Sequence, residues 1–253
     1  MKAGSSRLRV RLLGIDPEET SFDRRGFTGA DAARARLELV GRTFVRGYRA
    51  ALVDDTPSRL GETLDSVEAE RRGFAYEGAA MALALLDQLL LSRRHRRFAA
   101  FIAGPASAHV YMAHVCAGWA FAQLRRGPRA TQGLDPLLRW LAVDGYGFHR
   151  GYFGPSRHPL EHRAPMRFSG YSLRAFDQGL GRSLWFATGG DLTRATEAIG
   201  RFPPTRRPDL WSGLGLAVAY AGRASSELLT ARRSGSGACF PPRPRCGLRR
   251  RGA

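Results

Sequence analysis

Six polar residues in this chain could do chemistry: Glu77, His109, His114, Asp144, His149 and Asp177. Glu77 adjoins the most apolar run of the sequence, Gly78 to Leu91, and Asp177 lies in a glycine-rich helical stretch. A carboxylate buried in such surroundings must find a partner or shift its pKa, because an unpaired buried charge is very costly. The chemistry on offer is general acid–base catalysis in a dry pocket. The alternative is a structural ion pair with one of the many arginines. Asp87, inside the same apolar run, faces the same choice. His109 and His114 are five residues apart, which on a helix separates them by about 140°. They therefore do not form the i,i+4 metal pair of a HExxH helix. His149 and Asp144 share the segment Asp144-Gly145-Tyr146-Gly147-Phe148-His149, which lacks the alternating acids and closing glutamate of a calcium loop.

No nucleotide loop, nucleophile elbow, Cys–His pair or zinc spacing is present, so no cofactor or metal is expected. Cys116, Cys239 and Cys246 give neither an even framework nor a CxxC pair, and Cys116 reads as a small core residue. The 253 residues carry 40 basic against 22 acidic side chains, for a formal charge of +18. Lys2 is the only lysine, so 39 of the basic residues are arginine, as GC-rich coding would give. Such a field attracts phosphate non-specifically, but no recognition helix or lysine–aromatic pattern accompanies it, and specific nucleic-acid binding is not expected. The basic start is not followed by an apolar leader segment, and the longest apolar run falls short of the roughly 20 residues needed to cross a bilayer. A cytoplasmic protein without a membrane span is the expectation.

The elements that must position these residues are helices. Asp31 to about Val53 has Leu37, Val40, Phe44, Tyr48 and Leu52 at steps of three and four. Thr56-Pro57 opens a second helix with Leu60, Leu64 and Val67 on one stripe, ending at Arg72-Gly73. Phe74 to Leu91 is apolar on nearly every side, as a helix surrounded by others should be. Ala106–Leu124, Asp135–Val143, a brief Tyr146–Tyr152, Ser172–Thr188, Asp191–Gly200 and Asp209–Gly222 follow, with Asp144-Gly145 as a break and Gly154–Pro165 as an exposed loop. Asp16-Pro17-Glu18-Glu19 is a further helix start. The fold expected is all-α, one domain of about nine helices. Its bounds are 8–230, with an arginine-, proline- and glycine-rich tail at 231–253 whose composition suggests a shifted reading frame.

Parts of the chain resemble one another. Gly41-Arg42-Thr43-Phe44 parallels Gly181-Arg182-Ser183-Leu184, and Tyr76-Glu77-Gly78 parallels Trp211-Ser212-Gly213. A weaker middle copy runs through Gly118-Trp119 and Phe148-His149-Arg150-Gly151. Each unit would be three helices: glycine-containing, short and capped, then glycine- and alanine-rich. Glycine costs about 1 kcal/mol relative to alanine inside a helix, so Gly78, Gly213 and Gly215, set among alanines, imply close helix–helix contact, with Trp119, Trp140, Trp185 and Trp211 filling wider gaps.

Several strings go further. They are Phe22-Asp23-Arg24-Arg25-Gly26-Phe27, Gly73-Phe74-Ala75-Tyr76-Glu77-Gly78, His109-Val110-Tyr111-Met112-Ala113-His114, Asp144-Gly145-Tyr146-Gly147-Phe148-His149, Phe176-Asp177-Gln178-Gly179-Leu180-Gly181 and Trp211-Ser212-Gly213-Leu214-Gly215. With their flanks, over residues 8–223, they resemble the DUF1702 family, whose members are typically encoded beside enediyne polyketide synthases. The resemblance implies a role in enediyne antibiotic biosynthesis, a branch of secondary metabolism, and carries over no catalytic residues. It points to an accessory protein acting on an apolar polyene or polyketide intermediate. The alternative is a non-catalytic scaffold docking on the polyketide synthase or its thioesterase.

Overall fold

The computed structural model describes residues 2–89, 96–154 and 168–221. Eleven α-helices and no strand occur among them. Six are long: α3 (Asp31–Val53), α5 (Ala69–Leu89), α7 (Val110–Gln123), α8 (Arg139–Phe153), α9 (Gly170–Ala187) and α11 (Arg207–Ala221). The others are α1 (Lys2–Leu13), α2 (Phe22–Arg25), α4 (Pro57–Asp65), α6 (Arg97–Ala103) and α10 (Leu192–Gly200). The long helices pack in chain order, each on the next, and one contiguous apolar core runs through all of them.

What joins the long helices is a repeated glycine contact. A Cβ added to Gly47 would meet the Ala75 carbonyl oxygen, and one on Gly78 the Phe44 carbonyl oxygen. The same reciprocal pair joins α7 to α8 (Gly118 on Ala142, Gly145 on Val115), α8 to α9 (Gly147 on Phe176, Gly179 on Asp144) and α9 to α11 (Gly181 on Leu210, Gly213 on Gln178). In every case the added Cβ would lie 1.7–2.0 Å from the oxygen, inside the van der Waals wall. Each glycine sits over the carbonyl three residues before its partner glycine, so residue numbers rise on one helix as they fall on the other. The helices of these four pairs are therefore antiparallel neighbours. The backbones approach closely enough for Cα–H to carbonyl contacts, which offset part of the helix-interior cost of glycine.

This geometry corrects several boundaries read from punctuation. Asp144-Gly145 does not break a helix: α8 runs unbroken from Arg139 to Phe153, because Gly145 is a contact surface and not a stop. Arg72-Gly73 likewise lies within α5. Asp16 caps only a 3₁₀ turn, Pro17–Thr20, with its carboxylate accepting from the Glu18 N–H at 3.0 Å. Helix α7 begins at Val110, after a 3₁₀ turn at Ser107–His109. Helices α1 and α6 were not anticipated. Asp87 explains α6: its carboxylate accepts from the Arg97 and Phe98 N–H groups at 3.3 and 3.0 Å, capping the helix from the neighbouring α5. Asp87 is thus structural. The three-helix unit is visible as α3–α4–α5 and α9–α10–α11, but the glycine contact also joins α7 to α8 and α8 to α9, so the recurring element is the pair of long helices. The stretch 155–167, holding most of the anticipated loop, and the tail at 231–253 lie outside the described residues. No described helix is long and apolar enough to cross a membrane.

Candidate functional site

All six long helices contribute to one crevice of about 530 Å³, its open mouth included. Helix α3 supplies Leu37, Val40 and Phe44, α5 supplies Phe74 and Glu77, and α7 supplies Trp119. Helix α8 adds Phe148, Tyr152 and Phe153, α9 adds Phe186, and α11 adds Tyr220. The rings form a continuous wall. Phe148 stacks on Trp119 (centroids 4.6 Å apart, planes at 4°), Phe44 lies 4.7 Å from Trp119 on a tilt, and Tyr152 stacks on Phe148 at 5.6 Å. Aromatic pairs in such offset and tilted arrangements add about 1 kcal/mol each beyond their buried area, so the wall is rigid.

Glu77 is the one acidic side chain lining this crevice. It is 8 % exposed and has no ion-pair partner among the described residues. The Cys116 thiol donates a hydrogen bond to Glu77 Oε2 at 4.0 Å. Burial raises the Glu77 carboxyl to about 8, against the opposing pull of the Arg182 charge. At neutral pH it is mostly protonated. Burial, with Glu77 beside it, also drives the Cys116 thiol well above its usual value, so Cys116 is no thiolate nucleophile.

A second layer lies behind the wall. Arg182 of α9 is 1 % exposed and donates from Nη2 to Asp144 Oδ1 of α8 and from Nη1 to the Tyr220 hydroxyl at 3.3 Å. Its guanidinium carbon sits 5.0 Å from the centre of the Phe148 ring. Burial alone would lower Arg182, but Asp144 and Tyr220 outweigh it and hold the group above the ordinary arginine value. Burial pushes the Asp144 carboxyl up despite Arg182. Asp144 Oδ2 and Arg182 Nε have no hydrogen-bond partner. The pair is therefore an ion pair embedded in the bundle, with one edge of each partner left without a hydrogen bond among the described residues.

Of the six residues expected to act, Glu77 and Asp144 come together around Arg182. Of the six only Glu77 lines the crevice: Asp144 lies behind the wall, and the other four sit elsewhere. Asp177 is bound by Arg206, whose Nε donates to Oδ2 at 2.8 Å, and serves as an ion pair tying the start of α11 to α9. His114 Nδ1 lies 2.7 Å from the Val110 carbonyl oxygen, with its ring edge-on to Phe98. His109 stacks on Tyr76 at 4.5 Å, and burial lowers its pKa. His149 packs on Phe153 with Nδ1 unpaired. Burial, aided by Arg150 and Arg25, drops His149 to about 3, so it stays neutral at any physiological pH. Arg182 and Tyr220 were missed by sequence reasoning. A partial signal existed: Glu77, Asp144 and Arg182 each sit directly beside a glycine that faces another helix, although Arg46, beside Gly47, is exposed. Among the described residues no three histidine, cysteine or acidic side chains gather as metal ligands.

The sequence pattern of a protein family of unknown function, DUF1702, matches residues 5–241. The chain belongs to that family. The DUF1702 match extends to residue 241, past residue 223 where the string resemblance ends, so at least part of the C-terminal segment follows the family pattern. No curated protein and no solved structure matches the chain. The crevice of this DUF1702 protein must therefore be read on its own chemistry.

Proposed function

We propose that this protein binds an elongated, apolar, unsaturated molecule in the six-helix crevice, as an accessory protein of enediyne polyketide biosynthesis. The observation that supports the binding reading is the aromatic wall of Phe44, Trp119, Phe148 and Tyr152 around a largely uncharged floor. Flat π-faces stack on a conjugated chain, and concave apolar sites with few polar groups suit such ligands. The biosynthetic setting comes from the family resemblance alone. The alternative, docking on a polyketide synthase or its thioesterase, would draw on the outward side of α11, where Trp211 and Leu216 are exposed.

The test is a titration with a conjugated polyene, followed by quenching of tryptophan fluorescence, since Trp119 forms part of the wall. Saturable quenching is expected. Val40→Phe, which fills the crevice from α3, should weaken binding by about tenfold or more, a change of roughly 1.4 kcal/mol. Equal affinity in the filled variant, or no saturable binding in the parent, removes the reading.

A further inference from the structure

We propose that the ligand of this crevice carries a neutral carbonyl oxygen within its apolar chain, and that the uncharged Glu77 side chain recognises it by donating a hydrogen bond. The inference rests on the reading of the crevice as an apolar-ligand site. It is carried by placement. Glu77 is the sole acid in the lining, and among the described residues its carboxyl accepts one weak hydrogen bond, from the Cys116 thiol at 4.0 Å, while its own O–H has no side-chain acceptor. A buried polar group left unpaired costs about 1–3 kcal/mol, so a site that keeps one open is selective for ligands that satisfy it.

The surrounding charges decide what kind of ligand that is. Facing Glu77 are Cys116 from α7, the Arg182–Asp144 pair from α9 and α8, and Tyr220 from α11, while α3 presents only apolar groups and Thr20 lies across the crevice. An anionic ligand would lose its hydration in the apolar crevice without gaining an open counter-charge, because Asp144 already holds Arg182. A cationic ligand would meet Arg182 behind Phe148 at 5.0 Å, and Arg25 beside the Tyr152 and Phe153 rings at 5.4 and 5.1 Å. Both charges are disfavoured, leaving a neutral acceptor. The carboxyl is protonated up to about pH 8, and burial holds Cys116 and Tyr220 higher still, so Glu77 alone of these groups changes state in the alkaline range. Once ionised, Glu77 becomes an acceptor facing an acceptor.

The experiment compares three probes of equal length: an all-trans polyenone, the polyene hydrocarbon and the corresponding polyenyl amine. Affinities are read by tryptophan quenching at about pH 6.5 and about pH 9.5, with circular dichroism at both to confirm folding. The expected results are a red-shifted polyenone absorbance on binding, polyenone affinity about tenfold lower at the higher pH, and hydrocarbon affinity unchanged. Glu77→Gln, which keeps a neutral donor, should retain polyenone binding and lose its pH dependence. If this variant does not fold, the hydrocarbon comparison in the parent protein still decides. A pH-independent polyenone, or an amine that binds more tightly than the ketone, overturns the inference while leaving the apolar site standing. Failure of all three probes to bind overturns both.

Discussion

Arg182 shows how one residue organises this interior. A guanidinium that is 1 % exposed survives only because Asp144 and Tyr220 share its charge and Phe148 covers its face. Removing one member of such a pair leaves the other buried and uncompensated, which costs more than the pair contributes. Arg182→Met is expected to destabilise the protein by about 3–5 kcal/mol in urea unfolding, and adding Asp144→Met should restore most of that loss. A double variant no more stable than Arg182→Met would show that Asp144 has another partner. Glu77 is the contrasting case: it is buried beside the same arginine without pairing to it, and so remains free to meet a ligand.

At the scale of elements, the glycines and not the apolar stripes set how the helices meet. Eight of them, from Gly47 to Gly213, stand where any side chain would overlap a neighbouring carbonyl, whereas Gly215 on α11 has nothing within 4 Å of its missing Cβ. The same substitution should therefore act with opposite sign. Gly179→Ala, whose methyl would lie 1.7 Å from the Asp144 carbonyl oxygen, is expected to cost about 3 kcal/mol or prevent folding. Gly215→Ala, in open space within a helix, should stabilise by about 0.5–1 kcal/mol. Paired melting curves check both, and equal effects would refute the contact geometry.

For the whole molecule, two buried groups shape stability against pH from opposite sides. The Glu77 carboxyl, raised from 4.5 to about 8, holds its proton more tightly in the folded state, so its contribution is complete in acid and declines as pH rises through that interval. His149, lowered from 6.5 to about 3, prefers the folded state neutral, so its contribution is complete above 6.5 and is lost as pH falls towards 3. Where the intervals overlap, between about 4.5 and 6.5, the slopes oppose one another. Urea unfolding across pH should give a plateau there, falling on both sides, and Glu77→Gln should flatten the alkaline limb alone. An unchanged alkaline limb in that variant would mean that another group titrates.

Local sequence determined that the chain is helical, where α3 begins and ends, and that Glu77 and Asp177 would be shielded from water, because periodicity and caps act over a few residues. It could not tell a breaking glycine from a packing one: Gly145 and Gly73 look like stops in isolation, and only the neighbouring backbone of α7 makes Gly145 an interior contact. Nor could it sort the six polar residues, since whether an acid meets an arginine depends on residues far along the chain, such as Arg206 for Asp177. The antiparallel stacking of the long helices decided that. It gathered side chains from six separate segments around one crevice and left Glu77 without an ion-pair partner among the described residues, a result of distance in space that spacing along the chain does not encode.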